Sequence, residues 1–197
     1  MIYFLHMIYP IVAIGDPVLR KKCKAIDSNY ADLMTLEKDM FKTMYAASGV
    51  GLAAPQIGLD IRLFVIDASP FADDDDLSDQ ERTTLANLKK TFINAQLIDE
   101  NGEFWRFNEG CLSIPNIRED VSRQSNITIK YQDINFQEHV ESYTGLAARV
   151  IQHEYDHIEG VLFTDKLSSF KKRLLKKRIQ HISSGQVKTD YKMRFSQ

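Results

Sequence analysis

Two histidines four residues apart, in His153-Glu154-Tyr155-Asp156-His157, can grip one ion only if the backbone between them is helical. On an α-helix, positions i and i+4 lie on one face, so both imidazoles reach a common metal. Glu154, beside the first histidine, projects near the open coordination position. A carboxylate there can take a proton from a water on the metal and later hand it on. The helix is expected over Gly145–Glu159, stopping at Gly160. It is apolar at Leu146, Ala147, Val150 and Ile151, so its histidine-bearing face is expected to be half-buried. That face weighs against a chance pattern on a solvated helix.

A catalytic centre needs three protein ligands and one open place. In the longer protease pattern a third histidine follows downstream, but Phe163 stands at that position and cannot ligate. Glu159, Asp165 and His181 are weak alternatives. Cys111, in Glu109-Gly110-Cys111-Leu112-Ser113-Ile114-Pro115, offers a soft thiolate suited to zinc or ferrous iron. Buried core is the other reading for a cysteine in such a place. Gly49-Val50-Gly51-Leu52-Ala53-Ala54-Pro55-Gln56 is a Gly/Ala-rich loop where backbone can approach a ligand closely, ending in the amide of Gln56. It lacks the Gly-Lys-Ser/Thr ending of a phosphate loop; a helix cap and turn is its plain alternative.

Around these segments the periodicities predict a short list of elements. Leu33, Leu36, Met40, Phe41 and Met44 recur at helical spacing within Ala31–Ala47. Ser28 or Asn29 can cap that helix, and Gly49 can supply its left-handed stop. Arg62–Ile66 reads as a buried strand. Phe92–Ile98 and Glu103–Phe107 read as strands joined by a hairpin turn at Asn101-Gly102. Ile127–Tyr131 and Gln137–Tyr143 alternate as half-buried strands. Phe71–Glu81, with Asp73–Asp76, is an acidic surface insertion; a calcium loop would need alternating ligands and a central glycine. Ser78 and Glu81 form a capping box that starts a short helix to about Lys90. Leu167–Ile182 is a basic helix with Leu174, Leu175, Ile179 and Ile182 on one face. Strands mid-chain with helices before and after make the class α+β. The expected architecture is antiparallel or mixed β-sheets packed around a central helix bearing His153 and His157, with an N-terminal helix and a C-terminal basic helix.

The chain has 197 residues, 44% hydrophobic and 26% charged, which fits one soluble catalytic domain over 1–197 and excludes collagen-like, disordered and disulfide-scaffold classes. Within it, residues 1–7 are an N-terminal extension, 71–81 the acidic insertion and 167–197 the basic helix and tail. Two cysteines point to a reducing compartment. No run reaches the ~18 apolar residues of a membrane span. Met1–Ile14 lacks a basic start and holds Pro10, so it is expected to lead into an ordered segment; Met7 can serve as initiator, with Met1–His6 an extra stub. The net charge of −2 hides an asymmetry: residues 166–197 carry ten Lys and Arg against one acid, a net +9, while residues 1–165 hold fifteen against twenty-six, a net −11. Such a basic end either contacts a polyanion or is simply a solvated helix face.

Taken together, Gly49–Gln56, Glu109-Gly110-Cys111-Leu112-Ser113 and Gln152-His153-Glu154-Tyr155-Asp156-His157 resemble the peptide deformylase family, whose GxGLAAPQ, EGCLS and QHExDH segments stand here in the same order. Gly15-Asp16-Pro17-Val18-Leu19-Arg20 also looks like that family. The resemblance implies one divalent ion per chain held by Cys111, His153 and His157, with water as fourth ligand. It implies ferrous iron, replaceable by zinc, nickel or cobalt. The implied substrate is the N-formylmethionine of a new polypeptide, hydrolysed to formate and a free amine with Glu154 as base and acid. Gln56 and the Leu112 backbone N–H would stabilise the oxyanion. Glu109, paired with Arg123, would brace the cysteine loop. Val50, Phe107, Leu146 and Val150 would line the methionine pocket, with Arg118 at its rim and Gly51 and Gly110 offering backbone contacts to an extended peptide.

Several positions depart from the family's habit. Arg149 stands where an apolar residue often sits beside the pocket, and a solvated arginine stem is expected. Ala95 follows Asn94 where proline is frequent, and the acidic insertion is extra. Cys23 is expected to be structural. The basic helix, with Lys171-Lys172-Arg173 and Lys176-Lys177-Arg178, sits where some family members contact the ribosome, which implies a salt-sensitive contact with ribosomal RNA. The implied location is cytoplasmic, with neither DNA nor membrane as partner. Two other readings compete: a zinc peptidase indifferent to Cys111, and a non-catalytic metal-stabilised module with a closed four-ligand site that binds nucleic acid through its basic end.

Overall fold

The computed structural model describes residues 7–196. The stub Met1–His6 and most of the expected N-terminal extension lie outside the described residues. The elements are β1 (Ile11–Val12), α1 (Leu33–Ala46), β2 (Gly51–Ala53), β3 (Leu63–Asp67), α2 (Asp79–Ala86), β4 (Lys89–Cys111), β5 (Ile114–Gln132), β6 (Glu138–Thr144), α3 (Gly145–Ile158), α4 (Ser169–Ser183) and β7 (Met193–Arg194). Strands β2-β3-β4-β5-β6 form one antiparallel sheet in that order, and β1 pairs β7 in a small parallel sheet. The class is α+β, with four α-helices among the described residues. No helix among the described residues is long and apolar enough to cross a membrane.

β3 shows how this sheet divides the core. All five of its residues are buried, and successive side chains point to opposite faces. Leu63 and Val65 join the cluster of Leu36, Met40 and Met44 from α1, while Phe64 and Ile66 join that of Ala147, Val150 and Ile151 from α3. Helix α3 touches β2, β3, β5, β6 and α2. A further cluster, with Ile114, Val121, Phe163, Leu175 and Ile182, lies under α4.

The local signals divide into those the fold uses and those it overrides. The capping box forms: Ser78 Oγ accepts from the Glu81 N–H and the Glu81 carboxylate accepts from the Ser78 N–H. Helix α2 ends at Ala86, short of Lys90, because Lys89 already pairs Asp67 in the sheet. Asp73–Asp76 are exposed, as expected of an insertion. On α1, Ser28 and Asn29 cap nothing; Asp32 holds the cap position in left-handed backbone with no side-chain cap bond. Ser48, at φ 55°, makes the left-handed stop in place of Gly49. Gly51–Ala53, expected as loop, is strand β2.

The hairpin turn at Asn101-Gly102 does not form. β4 runs straight through it, with Asn101 opposite Asn126 and a register shift before Phe104 opposite Gln124. Gly102 is the bulge, at φ 83°, where a Cβ would meet Ser125 Oγ at 2.3 Å. The turn falls instead at Leu112-Ser113, between Cys111 and its cross-strand partner Ile114. On α4, Leu174 is 63% exposed, while Leu175 and Ile182 are buried and Ile179 partly so. One step of 100° carries Leu174 off the apolar stripe.

Candidate metal centre

The long β4–β5 hairpin ends in a tight turn whose first residue is Cys111, and this tip meets α3. On α3, His153 and His157 lie one turn apart with ring centroids 5.2 Å from each other. Cys111 Sγ is 3.2 Å from His157 Nε2. The sulfur and one nitrogen from each histidine lie within 4.8 Å of one another, and no other such trio forms among the described residues. A tetrahedral ion with bonds of ~2.3 Å to sulfur and ~2.0–2.1 Å to nitrogen holds its donors ~3–4 Å apart. The donor set therefore fits one soft or borderline divalent ion.

The weak alternatives for the third ligand are occupied elsewhere. Glu159 pairs with Arg62 at 2.7 Å and Lys22 at 3.0 Å, and Asp165 pairs with Arg20. His181 is exposed in the last turn of α4. Phe163 stacks on the His153 ring at 6.2 Å, so it braces that ring and offers no donor.

Glu109 organises the charge behind the Cys-His-His cluster. Its carboxylate accepts from His153 Nδ1 at 2.9 Å, which leaves His153 Nε2 for the ion. It also accepts from Arg123 Nε at 2.7 Å and Nη2 at 3.0 Å, a bidentate pair. Burial favours the neutral acid, but the bonds from His153 and Arg123 win and hold Glu109 well below the usual carboxylate range. For His153 burial opposes charge, and the bonds to Cys111 and Glu109 overcome it and raise its pKa. Burial drives His157 well below its ordinary value, helped by repulsion from His153 and Arg123, so it presents a neutral lone pair.

Glu154 is buried, and its Oε2 has no partner. Burial pushes its carboxyl up to about 7, near the optimum for a group that takes and returns protons at neutral pH. Gly51 makes room for it: a Cβ there would lie 2.3 Å from Glu154 Oε1. Gln56 follows β2 on a 3-10 turn. The Ala53 N–H donates to its Oε1 at 2.8 Å, which fixes the amide and aims Nε2 at Cys111 Sγ, 3.5 Å away, and at Ser113 Oγ, 3.4 Å away.

A cavity of about 610 Å³ opens over these groups. Val50, Gly51, Gln56, Phe107, Gly110 and Leu112 line it, as do Arg118, Val150, Glu109, Cys111, His153 and Glu154. Arg123 stands behind Glu109 and outside this lining. Leu146 is also outside it; the side chain packs against the core beside Leu77 and Leu85. Gly110 lies under Arg118, whose Nη1 would be 2.9 Å from an added Cβ.

Five further residues take part in the site. Arg149 is 2% exposed, not a solvated stem. Its Nη1 donates to Glu109 Oε1 at 2.9 Å, its Nη2 to the Trp105 carbonyl at 2.8 Å, and its guanidinium lies 4.4 Å over the Trp105 ring. Spacing held a clue, because Arg149 is four residues before His153 and so on its face. Asp156 accepts from Arg123 Nη1 at 2.6 Å. Phe71, at the head of the acidic insertion, packs edge-on to Phe107 and lines the cavity. Lys188 and Tyr191, far along the tail, line it as well; no local pattern marks them.

A sequence profile described as polypeptide deformylase matches residues 8–173. A peptide deformylase of Christiangramia forsetii is 61% identical, with 96% of each chain covered. One of Flavobacterium psychrophilum is 59% identical over 95% of this chain and 97% of its own. Among solved structures, a peptide deformylase from Legionella pneumophila aligns with a TM-score of 0.75 at 35% identity, covering 91% of this chain and 98% of its own. Peptide deformylase 1B of Arabidopsis thaliana aligns with a TM-score of 0.76 at 32% identity over 90% and 91%.

Proposed function

The chain belongs to the polypeptide deformylase family, hydrolases that remove the N-formyl group from new polypeptides, and we propose that Cys111, His153 and His157 hold its ion while Glu154 moves the protons. The observation that carries this assignment is the meeting of one sulfur and two ring nitrogens within 4.8 Å beside a buried, unpartnered carboxylate oxygen. When bound, the ion supplies Lewis acidity that makes water nucleophilic near neutral pH. Ferrous iron is the physiological ion on this proposal, with zinc, nickel or cobalt able to replace it at the same donors.

Hydrolysis of a formamide needs a proton taken from the attacking water and one delivered to the departing nitrogen. Glu154, with its carboxyl near neutrality, does both in turn, a role worth ~10²–10⁴-fold. The Gln56 amide and the Leu112 N–H receive the oxyanion, each donor being worth ~10²–10³ in rate. Glu109, held by Arg123, Arg149 and His153, fixes the ligand tautomer. Val50, Val150 and Phe107, with Phe71, form the methionine pocket. Arg118 stands at its rim. Gly51 and Gly110 border a peptide laid along the hairpin tip as an added strand.

On this proposal residues 1–197 are one catalytic domain, working in the cytoplasm where nascent chains emerge. Arg173, Lys176 and Lys177 on α4 are exposed and form the proposed contact with ribosomal RNA. The test of the activity is formate release from formyl-Met-Ala-Ser by anaerobically purified, iron-loaded protein. One formate per peptide is expected; no formate from protein of confirmed metal content overturns the assignment.

A further inference from the structure

After α4 the chain turns back, and residues 188–191 come to line the cavity that holds Cys111 and Glu154. Several bonds fix this return. The Ile11 N–H donates to the Lys192 carbonyl at 2.8 Å, and β7 pairs β1. Asn116 Nδ2 donates to the Lys188 carbonyl at 3.2 Å, and Thr189 Oγ1 donates to the Tyr191 carbonyl at 2.7 Å. From this platform the Tyr191 hydroxyl donates to the Leu112 carbonyl at 2.8 Å, a bond between residues 79 apart in sequence.

Leu112 and Ser113 are the two turn residues that β4 and β5 leave outside their ladder. Their carbonyls are taken from elsewhere, Leu112 by Tyr191 and Ser113 by the Ile14 N–H at 2.9 Å. The turn that carries Cys111 and Leu112 is therefore held by the two ends of the chain and not by the hairpin alone. A two-residue turn without such anchors can rotate its peptide planes at little cost, and a donor misaimed by a fraction of an ångström loses much of its value.

Resting on the deformylase reading, we infer that Tyr191 is a positioning residue for the reaction: its hydroxyl fixes Leu112 so that the N–H of that residue meets the developing oxyanion. The test is Tyr191→Phe in the full, nickel-loaded chain, assayed for formate release from formyl-Met-Ala-Ser beside wild type. Metal content and the thermal midpoint are measured on both. The variant should keep its metal, unfold within a few degrees of wild type, and show kcat about tenfold lower with KM within twofold. That loss is smaller than the ~10²–10³ of deleting an oxyanion donor outright. A purely structural bond would move the midpoint and leave the kcat of folded protein alone. An unchanged kcat, a loss carried by KM, or a loss matched by missing metal or failure to fold each overturns the inference. Inactive, metal-replete wild type would contradict the deformylase reading instead.

Discussion

Glu154 has one oxygen in the space that a Cβ on Gly51 would fill and the other without a partner. Burial therefore lifts its carboxyl from 4.5 to about 7 in the folded, metal-free chain. The native state then binds this proton more tightly than the unfolded state does. The neutral acid is tolerated below pH 4.5, and stability is lost as pH rises toward 7. Glu109 has the opposite sign, with stability present above its unfolded value and lost only in strong acid. Glu109 stays ionised from pH 5 to pH 8 in both wild type and Glu154→Gln, so its own titration drops out of the difference between them. We expect metal-free wild type to lose about 2 kcal/mol relative to Glu154→Gln between about pH 5 and pH 8, measured by urea unfolding. A flat difference would mean that Glu154 is solvated and ionised throughout. At this scale the paired histidines were readable because i and i+4 spacing is a local signal, while only the family resemblance joined Cys111 to them. Arg149 was not, because its acceptor Glu109 is 40 residues away and nothing nearby announces an acid to pair with it. Cys23 behaves as expected of structural core: it is buried, and burial pushes its thiol up to about 11.

Each element brings one part of the site, and β2 sets the clearance. Its Gly51 pairs Ile66 of β3, so this backbone cannot retreat from α3. Alanine at 51 would place a Cβ 2.6 Å from the Glu154 carboxyl carbon and force the carboxylate aside. We expect Gly51→Ala to keep its metal and lose ~10²-fold or more in kcat, a loss on the scale of a displaced general base. A near-normal rate would mean that Glu154 works from another position. The elements were largely legible, since the stripes of α1 and α3, the buried β3 and the α2 capping box are all local patterns. The hairpin was misplaced for a physical reason. Asn101-Gly102 has the chemistry of a turn, yet a bulge needs the same left-handed glycine, and only pairing with Ser125 and Asn126 decides between them.

Over the whole molecule, the acidic body and basic end divide their charge unevenly between inside and out. Lys171 pairs with Glu119, while the exposed Lys172 and Arg178 bond the Asp165 and Asn116 carbonyls; Arg173, Lys176 and Lys177 are exposed beside them. We expect reversal of these three charges to weaken sedimentation with ribosomes at least tenfold and to flatten its salt dependence. Formate release from free peptide should stay unchanged. Equal binding by wild type and variant would place any contact elsewhere. Beyond the helix, residues 188–194 turn inward, held by a two-residue pairing with β1 that no periodicity could reveal. All of this turns on where the ion sits. X-ray absorption on zinc-loaded, reduced protein tests that directly. We expect one sulfur at ~2.3 Å and nitrogens at ~2.0–2.1 Å from two imidazoles, with one further light atom from solvent. A spectrum with no sulfur neighbour, or with a fourth protein ligand closing the site, would contradict it.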